Sequence, residues 1–185
     1  MSPAAVRVRD AREEDYQRIA DLTVAAYVRG GHMGLDDGYL QHLKQVADRG
    51  ERAQLLVAEV DGVVAGSVTV TDYDGDYAEV SRPGEMEFRM LATAPEHQGV
   101  GIGRHLVRHV VAAAEARPEV SAVVLCSLAS MTAAHRLYGA EGFTADPSRD
   151  FVLITPEVAG RFPFFSRDVR SSRPQNSRLT HVEGK

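Results

Sequence analysis

The chain has 185 residues, of which 44 % are hydrophobic and 25 % charged, a size and composition that fit one globular domain with a buried core. No apolar run reaches the roughly 18 residues of a membrane-spanning helix, and the N-terminus lacks the apolar segment of a secretory signal, so a cytoplasmic protein without a membrane partner is expected. The single cysteine excludes an internal disulfide and a thiolate metal cage.

The net charge of −5 is unevenly distributed. The last twenty residues hold five Lys and Arg residues against two acidic residues, a balance of +3, so the preceding part of the chain carries −8. Because contacts to phosphates need clustered Lys and Arg, this acidic body does not favour nucleic acid as a partner. It weakly favours a cationic or amine-bearing substrate. Residues 169–185, rich in Ser, Arg and Pro, are expected to form a disordered basic tail.

Hydrophobic periodicity predicts a strand, two helices and a hairpin in the first half of the chain. The expected elements are a strand at 6–9, helices at about 13–28 and 37–48, and strands at 55–60 and 63–72. Asp61-Gly62 between the last two strands is a strong hairpin signal. The acidic, turn-rich residues 73–84 are expected to form a loop.

The second half alternates strands with helices. The expected elements are a strand at about 85–93, a helix to about 117, a strand at 120–125, a helix at 131–141, and strands near 151–155 and 161–167. Simple alternation in the first of these strands places Met86, Phe88, Met90 and Ala92 on one face, and Glu87, Arg89 and Leu91 on the other. The order predicts a mixed α/β domain, which alone is compatible with several folds.

A glycine-rich loop, Gln98-Gly99-Val100-Gly101-Ile102-Gly103-Arg104, precedes the longest helix of the second half. The first N–H groups of a helix have no intrahelical partner, and glycines allow close approach of an anion, so the loop predicts an anion site. A P-loop needs Lys followed by Ser or Thr, and a dinucleotide fingerprint needs a glycine where Arg104 stands. Both patterns fail, which leaves another anion or a turn without a ligand.

Gln98, Gly101 and Gly103 satisfy the pattern Gln/Arg-x-x-Gly-x-Gly/Ala, which resembles the acyl-CoA pyrophosphate loop of GNAT N-acetyltransferases. Residues 87–99 look like the fourth strand of that superfamily and its exit, and residues 134–143 are similar to its A-x-x-x-Tyr-x-x-x-Gly-Phe segment. The resemblance covers about residues 5–168, which we therefore expect to form one domain. It implies a mixed α/β fold with a central, mostly antiparallel sheet, parallel fourth and fifth strands that splay apart, and about four flanking helices.

The resemblance further implies acetyl-CoA as cosubstrate, an amine as acceptor, and no metal. The pantetheine arm would enter the gap between the splayed strands and pair with backbone groups of Leu91, Ala92 and Thr93. The pyrophosphate would lie on N–H groups from Gln98 to Arg104. Further contacts are expected from the last helix and its entry, at Ser130, Ala134 and Tyr138. Many members have asparagine where this chain has Met131, so the hydrogen bond to pantetheine is missing or comes from Ser130 or Thr132.

Two side chains are the candidate catalytic residues. The resemblance places Tyr138 beside the CoA sulfur, where a phenol can protonate the departing thiolate. The alternative for Tyr138 is a packing role on the last helix. Glu87 is the candidate general base or relay of the amine proton through water, with a salt bridge to Arg89 as its alternative and Glu85 and Glu79 as lower-ranked bases. The oxyanion donor is expected to be a backbone N–H near residues 91–92.

Other candidate sites are set aside. Cys126 ends an apolar strand without a basic neighbour in sequence, which favours a small buried hydrophobe over a nucleophile. His105 and His109 lie one helical turn apart but lack a third ligand nearby, so no metal site is predicted.

The predicted function is transfer of acetyl from acetyl-CoA directly to a primary amine of a small molecule or protein. The alternatives are a non-catalytic acyl-CoA-binding or regulatory domain, and an acyltransferase that uses another acyl group or an oxygen acceptor. Nothing in the sequence excludes a homodimer or identifies the acceptor. Candidate residues for the acceptor site are Tyr27, His32, Met33, Tyr39 and Phe164.

Overall fold

The computed structural model describes residues 5–34, 37–154 and 159–170. The strands are β1 (Val6–Asp10), β2 (Gln54–Val60), β3 (Val63–Asp72), β4 (Glu85–Thr93), β5 (Ala122–Cys126), β6 (Thr144–Ala145), β7 (Phe151–Ile154), β8 (Ala159–Phe162) and β9 (Phe164–Asp168). The helices are α1 (Tyr16–Arg29), α2 (Tyr39–Lys44), α3 (Val46–Arg52), α4 (Ile102–Glu115) and α5 (Thr132–Ala140).

Seven of these strands form one sheet in the order β1-β2-β3-β4-β5-β9-β6, and β7 and β8 form a separate hairpin. The ladder between β4 and β5 is parallel, and the other ladders are antiparallel. The predicted mixed α/β class is therefore confirmed, as is the mostly antiparallel sheet with its parallel fourth and fifth strands.

The parallel pair opens into a gap. Hydrogen-bonded pairing of β4 with β5 covers Glu85 to Glu87 on β4 and stops at the pair Glu87–Val124, although β4 continues to Thr93. The β5-facing edge of β4 beyond residue 87 thus has no strand partner among the described residues. This gap lies at the same end of the sheet as the loop that leads into α4.

Helices cover both faces of the sheet. Helix α4 buries one continuous apolar stripe, as predicted, which consists of Ile102, Leu106, Val107, Val110, Val111 and Ala114. Helix α1 packs on the opposite face through Ile19 and Leu22, and the short helices α2 and α3 extend that layer. We refer to these as the α4 face and the α1 face of the sheet.

The predicted alternation in β4 is wrong from Met90 onward because the strand contains a β-bulge. Arg89 pairs with Thr69 and Ala92 with Ser67, so β4 uses three steps where β3 uses two. Met90, the residue within the bulge, has φ = +54°. Such an insertion shifts the side-chain alternation by one residue.

The side chains of β4 show this shift directly. Phe88 packs in the core beneath α4, whereas Met90 packs with Tyr27 and Leu43 on the α1 face. Leu91 returns to the α4 face and contacts the same core as Phe88. Glu87 therefore does not share a face with Leu91, contrary to the expectation from simple alternation.

Element boundaries elsewhere differ in smaller ways. The helix expected at 37–48 is broken at Gln45, where ψ is +59°, into α2 and α3, so there are five α-helices among the described residues instead of about four. The predicted C-terminal strands correspond to β7 and to β8 with β9; residue 155 lies outside the described residues, as do residues 171–185 of the predicted tail. Val169 is completely buried, so the packed body reaches one residue beyond the expected boundary at 168.

Candidate active site

The glycine-rich loop ends in an open helix N-terminus. Gly99 and Gly101 have φ of +79° and +88°, a backbone conformation that glycine adopts without steric cost. Gly101 is the N-cap of α4, and no side chain caps the helix. The N–H groups of the first turn are therefore free to bind a ligand oxygen. The residues present fit a phosphate group at this position.

The flanking residues of the loop have different roles. Gln98 has extended backbone and donates its N–H to the carbonyl of Pro95 at 3.4 Å. Val100 is exposed, whereas Ile102 is completely buried under the sheet and fixes the helix start. At the N-cap, His105 Nδ1 lies 2.9 Å from the Gly101 carbonyl oxygen, which accepts its hydrogen bond.

Gly103 is required for packing as well as for the shape of the loop. A Cβ at this position would lie 3.2 Å from Leu137 Cδ2 and 3.7 Å from Thr93 Oγ1. The glycine therefore lets α4 approach α5 and the end of β4 closely. This packing brings the helix N-terminus next to Thr93, one of the three residues expected to bind pantetheine.

The side chain of Arg104 is directed away from the loop. Its Nε lies 2.9 Å from the carboxylate of Glu141, which is buried and also accepts from Arg108 Nε at 2.8 Å. The backbone N–H of Arg104 is thus its candidate contact for an anion. Glu141, which ties α4 to the end of α5, is not among the predicted site residues.

Leu91, Ala92 and Thr93 lie beyond the bulge, along the edge of β4 that borders the gap. Ala92 is buried, whereas Leu91 and Thr93 are half-buried. On their other edge Ala92 and Thr93 pair with β3. The structure therefore brings the three residues to the mouth of the gap, adjacent to the anion-binding loop.

Tyr138 on α5 is 4 % exposed and lies in the core beneath α4. Its ring centroid is 5.8 Å from that of Phe88 and 5.6 Å from that of Phe165. Burial raises the pKa of the phenol well above its ordinary value, and a hydrogen bond with Ser127 partly opposes this effect. The hydroxyl is therefore protonated at neutral pH, as a proton donor must be, and the raised pKa makes it a weaker acid than a free tyrosine.

Glu87 is held in a network of backbone hydrogen bonds. Its side chain is 1 % exposed, and Oε2 accepts from the N–H groups of Glu79, Val80 and Ser81 at 2.9–3.0 Å and from Ser81 Oγ at 2.8 Å. The carboxylate thus closes the loop that precedes β4. An acceptor amine has no direct access to it in this arrangement, so the geometry favours a structural role over direct proton abstraction.

The other two candidate bases are differently placed. Glu79 is about one-third exposed and lies 3.0 Å from Arg89 Nη2. Glu85 is largely buried in an ion pair with Arg149, with 2.6 Å between Oε1 and Nη1. Of the three carboxylates, Glu79 is thus the most accessible to solvent.

The segment that enters α5 contacts the first helical layer. Ser130 Oγ lies 2.9 Å from His32 Nδ1, so an expected cofactor residue and an expected acceptor residue are in direct contact. Met131 is the N-cap of α5, and its Sδ accepts a hydrogen bond from Ser127 Oγ at 3.7 Å. Ala134 packs at the edge of the core beneath α4.

The remaining expected acceptor residues do not all line one space. Tyr27, Met33 and Tyr39 pack together on the α1 face with the bulge residue Met90. Phe164 is completely buried, with the guanidinium of Arg149 4.0 Å above its ring. Tyr27, Met33 and Tyr39 therefore remain candidates for the acceptor site, whereas Phe164 does not.

Cys126 is set aside on sequence grounds as a candidate nucleophile. Burial raises the pKa of Cys126 to about 11, so its thiol is neutral at physiological pH. No group of three or more His, Cys, Asp or Glu side chains in residues 5–34, 37–154 and 159–170 is placed to hold a metal ion. Within the same ranges, no helix has the length and apolar character needed to cross a membrane.

One family model matches this chain, and several solved structures resemble it in fold. The model of the acetyltransferase (GNAT) family matches residues 8–143. The N-acetyltransferase PaiA of Thermoplasma acidophilum, solved with coenzyme A, is similar in structure, with a TM-score of 0.69 and 11 % identity over 89 % of this chain and 99 % of that one. The ribosomal-protein-S18-alanine N-acetyltransferase of Escherichia coli has a TM-score of 0.66 and 19 % identity over 93 % of this chain and 98 % of that one. YncA of Salmonella typhimurium, a putative acetyltransferase solved with its cofactor acetyl-CoA, has a TM-score of 0.62 and 20 % identity over 94 % of this chain and 99 % of that one. At these identities the structures establish the fold, and comparison with curated proteins found no match.

Proposed function

The chain belongs to the acetyltransferase (GNAT) family, and from this premise we propose that it transfers an acetyl group from acetyl-CoA directly to a primary amine of a small molecule or protein. One observation carries the proposal. The uncapped N-terminus of α4 lies beside the gap where β4 and β5 part. An anion site next to a backbone slot suits a ligand with a phosphorylated end and an extended arm that ends in a reactive group.

The binding roles follow from this arrangement. We assign the pyrophosphate to the N–H groups of residues 98–104 and the pantetheine amides to the free edge of residues 91–93. The bound thioester supplies the activated acetyl group. We further assign Ser130 and Ala134 to the α5 side of this slot, where a bound cofactor would compete with His32 for the Ser130 hydroxyl.

The chemical step requires one bond to form and one to break. The neutral amine nitrogen attacks the thioester carbonyl carbon, a C–N bond forms, the C–S bond breaks, and the thiolate takes a proton. We assign that proton to Tyr138, whose buried phenol is protonated at neutral pH. The proton lost by the amine passes through water to the Tyr138 phenolate and so restores the phenol.

We propose that Glu87 supports this step indirectly. Its carboxylate holds the loop at residues 79–81, and this loop carries Glu79 to the side chain of Arg89. Glu79 is accessible to water on the α1 face, where it can accept the amine proton through a water molecule. Glu87 is then a positioning residue for the relay, as opposed to the direct base.

The test combines turnover with a charge inserted at the anion site. We expect thiol release from acetyl-CoA in the presence of an amine and peptide panel. Val100 is 61 % exposed in the loop, so Val100→Glu should leave the fold intact and repel the pyrophosphate. We expect at least about a tenfold rise in the KM for acetyl-CoA, which corresponds to roughly 1.4 kcal/mol.

Val152→Glu is the matched control, because Val152 is 56 % exposed in the β7–β8 hairpin, outside the sheet that carries the loop. It should leave the KM for acetyl-CoA unchanged. Absence of acetyl-CoA binding by calorimetry would refute the proposal. Binding without turnover across the panel would instead identify a non-catalytic acyl-CoA-binding domain.

A further inference from the structure

A completely buried arginine lies on the α1 face, next to the bulge of β4. Arg49 on α3 is 0 % exposed. Its Nη2 donates to the Leu43 carbonyl at 2.9 Å, and its Nη1 lies 3.2 Å from Met90 Sδ and 3.4 Å from Thr69 Oγ1. Its Nε–H has no hydrogen-bond partner within the described part of the chain. The guanidinium thus contacts neutral groups only.

No carboxylate of the described residues forms an ion pair with Arg49, in contrast to the nearby Arg89, which lies 3.0 Å from Glu79 and 4.0 Å from Glu87. Burial is the main cause that lowers the pKa of Arg49, and Arg89 acts in the same direction, whereas three nearby tyrosines oppose it. Burying an unpaired cation is strongly unfavourable, so charged side chains are rarely buried without a counter-ion.

The position of Arg49 relates it to the acyl-transfer centre. Met90, which it contacts, precedes Leu91 at the mouth of the gap. Within the described part of the chain, two further buried polar atoms have no hydrogen-bond partner: Thr23 Oγ1 on α1, and Ser67 Oγ, which shares a face of β3 with Thr69. The α1 face therefore has unused hydrogen-bonding capacity and uncompensated positive charge beside Met90, the residue that precedes the segment assigned to pantetheine.

We propose that Arg49 recognises an acidic group on the acceptor, so that the substrate is a compact amine with a nearby carboxylate, as in an amino acid. The inference rests on the proposed acetyltransferase function and specifies its acceptor. A carboxylate would take the place of the Leu43 carbonyl and use the unpaired Nε–H, in the bidentate geometry that guanidinium groups favour. The short helix α2, which carries Leu43, would shift to admit it.

This proposal replaces the weak expectation from net charge. The acidic body of the chain favours a purely cationic acceptor, such as a polyamine, through long-range attraction. A buried guanidinium has a stronger effect at short range, because the low local dielectric increases its interaction with any group that replaces the Leu43 carbonyl. An acceptor without an acidic group would leave Arg49 unpaired.

The first experiment uses the unmodified protein and matched acceptors. Rates of thiol release from acetyl-CoA are compared for the twenty amino acids, for their amides, and for the corresponding amines without the carboxylate. We expect kcat/KM to be about 10- to 100-fold higher for at least one amino acid than for its amide, the range expected for a charge-assisted hydrogen bond. A preference for amides or polyamines would overturn the proposal.

The second experiment replaces the arginine. Arg49→Met keeps most of the side-chain volume and should raise the KM for the preferred amino acid about 10- to 100-fold while leaving the KM for acetyl-CoA unchanged. Arg52→Met is the matched control, because Arg52 lies on the same helix and is more than half exposed. It should change neither KM.

The outcomes separate the two proposals. If the unmodified protein neither turns over nor binds acetyl-CoA, the acetyltransferase function itself is refuted. Turnover with an unchanged ratio of amino acid to amide rates in Arg49→Met refutes the role of Arg49 alone. If Arg49→Met does not fold, as judged from its melting curve, the comparison of acceptors with the unmodified protein still tests whether the preferred acceptor carries a carboxylate.

Discussion

Replacing Tyr138 by phenylalanine removes one hydroxyl and leaves the aromatic contacts intact. The ring keeps its neighbours, with centroids 5.8 Å from Phe88 and 5.6 Å from Phe165. The loss in folding stability should therefore be limited to the hydrogen bond with Ser127, about 1 kcal/mol. If the phenol donates the proton to the thiolate, the loss in turnover is much larger, since general acid catalysis contributes roughly 10²- to 10⁴-fold.

The assay measures kcat and KM by thiol release, the affinity for acetyl-CoA by calorimetry, and the unfolding temperature. We expect kcat to fall at least about 100-fold with unchanged affinity and a nearly unchanged melting curve. Tyr73→Phe is the matched control, because it removes the same hydroxyl from a residue that is 45 % exposed in a remote loop. A loss of less than about threefold in kcat, with the fold intact, would show that the tyrosine packs and does not donate a proton.

Two further predictions concern titratable groups. Glu79→Gln should lower kcat/KM at least about tenfold without loss of stability. Glu87→Gln should lower the free energy of urea unfolding by about 1–3 kcal/mol, because it removes the charge-assisted hydrogen bonds to the loop at residues 79–81. The opposite pattern would identify Glu87 as the base. Burial, and then the hydrogen bond to Asp48, raises the pKa of Tyr77 to about 12. Since the folded-state pKa lies above the ordinary value near 10, its contribution to stability is complete below pH 10 and is lost as the pH rises through 12. Urea unfolding at pH 9 and pH 11 should show this loss, and Tyr77→Phe should reduce it; an equal loss in the variant would contradict the assignment.

The elements that sequence patterns predicted well are those in which one local rule dominates. The apolar stripe of α4 repeats at helical spacing over four turns, so its buried face could be read directly. Asp61 and Gly62 both have positive φ in the hairpin between β2 and β3, as their residue types indicate. The open N-terminus of α4 likewise follows from Gly99 and Gly101.

The bulge of β4 could not be predicted because its residue type gives no signal. Methionine at position 90 occupies the left-handed region, where glycine or asparagine is usual. The conformation is stabilised by packing with Tyr27 and Leu43, which are distant in sequence. Local alternation therefore gave the wrong face for the residues from Met90 onward.

The roles of the charged side chains depended on tertiary partners in the same way. Spacing along β4 predicted a Glu87 that faces the substrate, but three backbone N–H groups of the preceding loop converge on its carboxylate. Arg49 stands in a segment with exposed charged neighbours, and its complete burial results from the break at Gln45, which turns α3 onto the sheet. Neither arrangement has a local sequence signal.

The bulge connects the two halves of the proposed site. It turns Met90 towards Arg49 on the α1 face, with 3.2 Å between Sδ and Nη1, and returns Leu91 to the α4 face. A regular strand would place Met90 under α4 and Leu91 among the residues expected to bind the acceptor. Because of the bulge, the consecutive residues Met90 and Leu91 serve different sides of the proposed site. The strand can present its free backbone edge from Leu91 onward to the acyl donor, while the Met90 side chain shapes the acceptor side. A substitution at Met90 should therefore affect the KM of the acceptor more than that of acetyl-CoA.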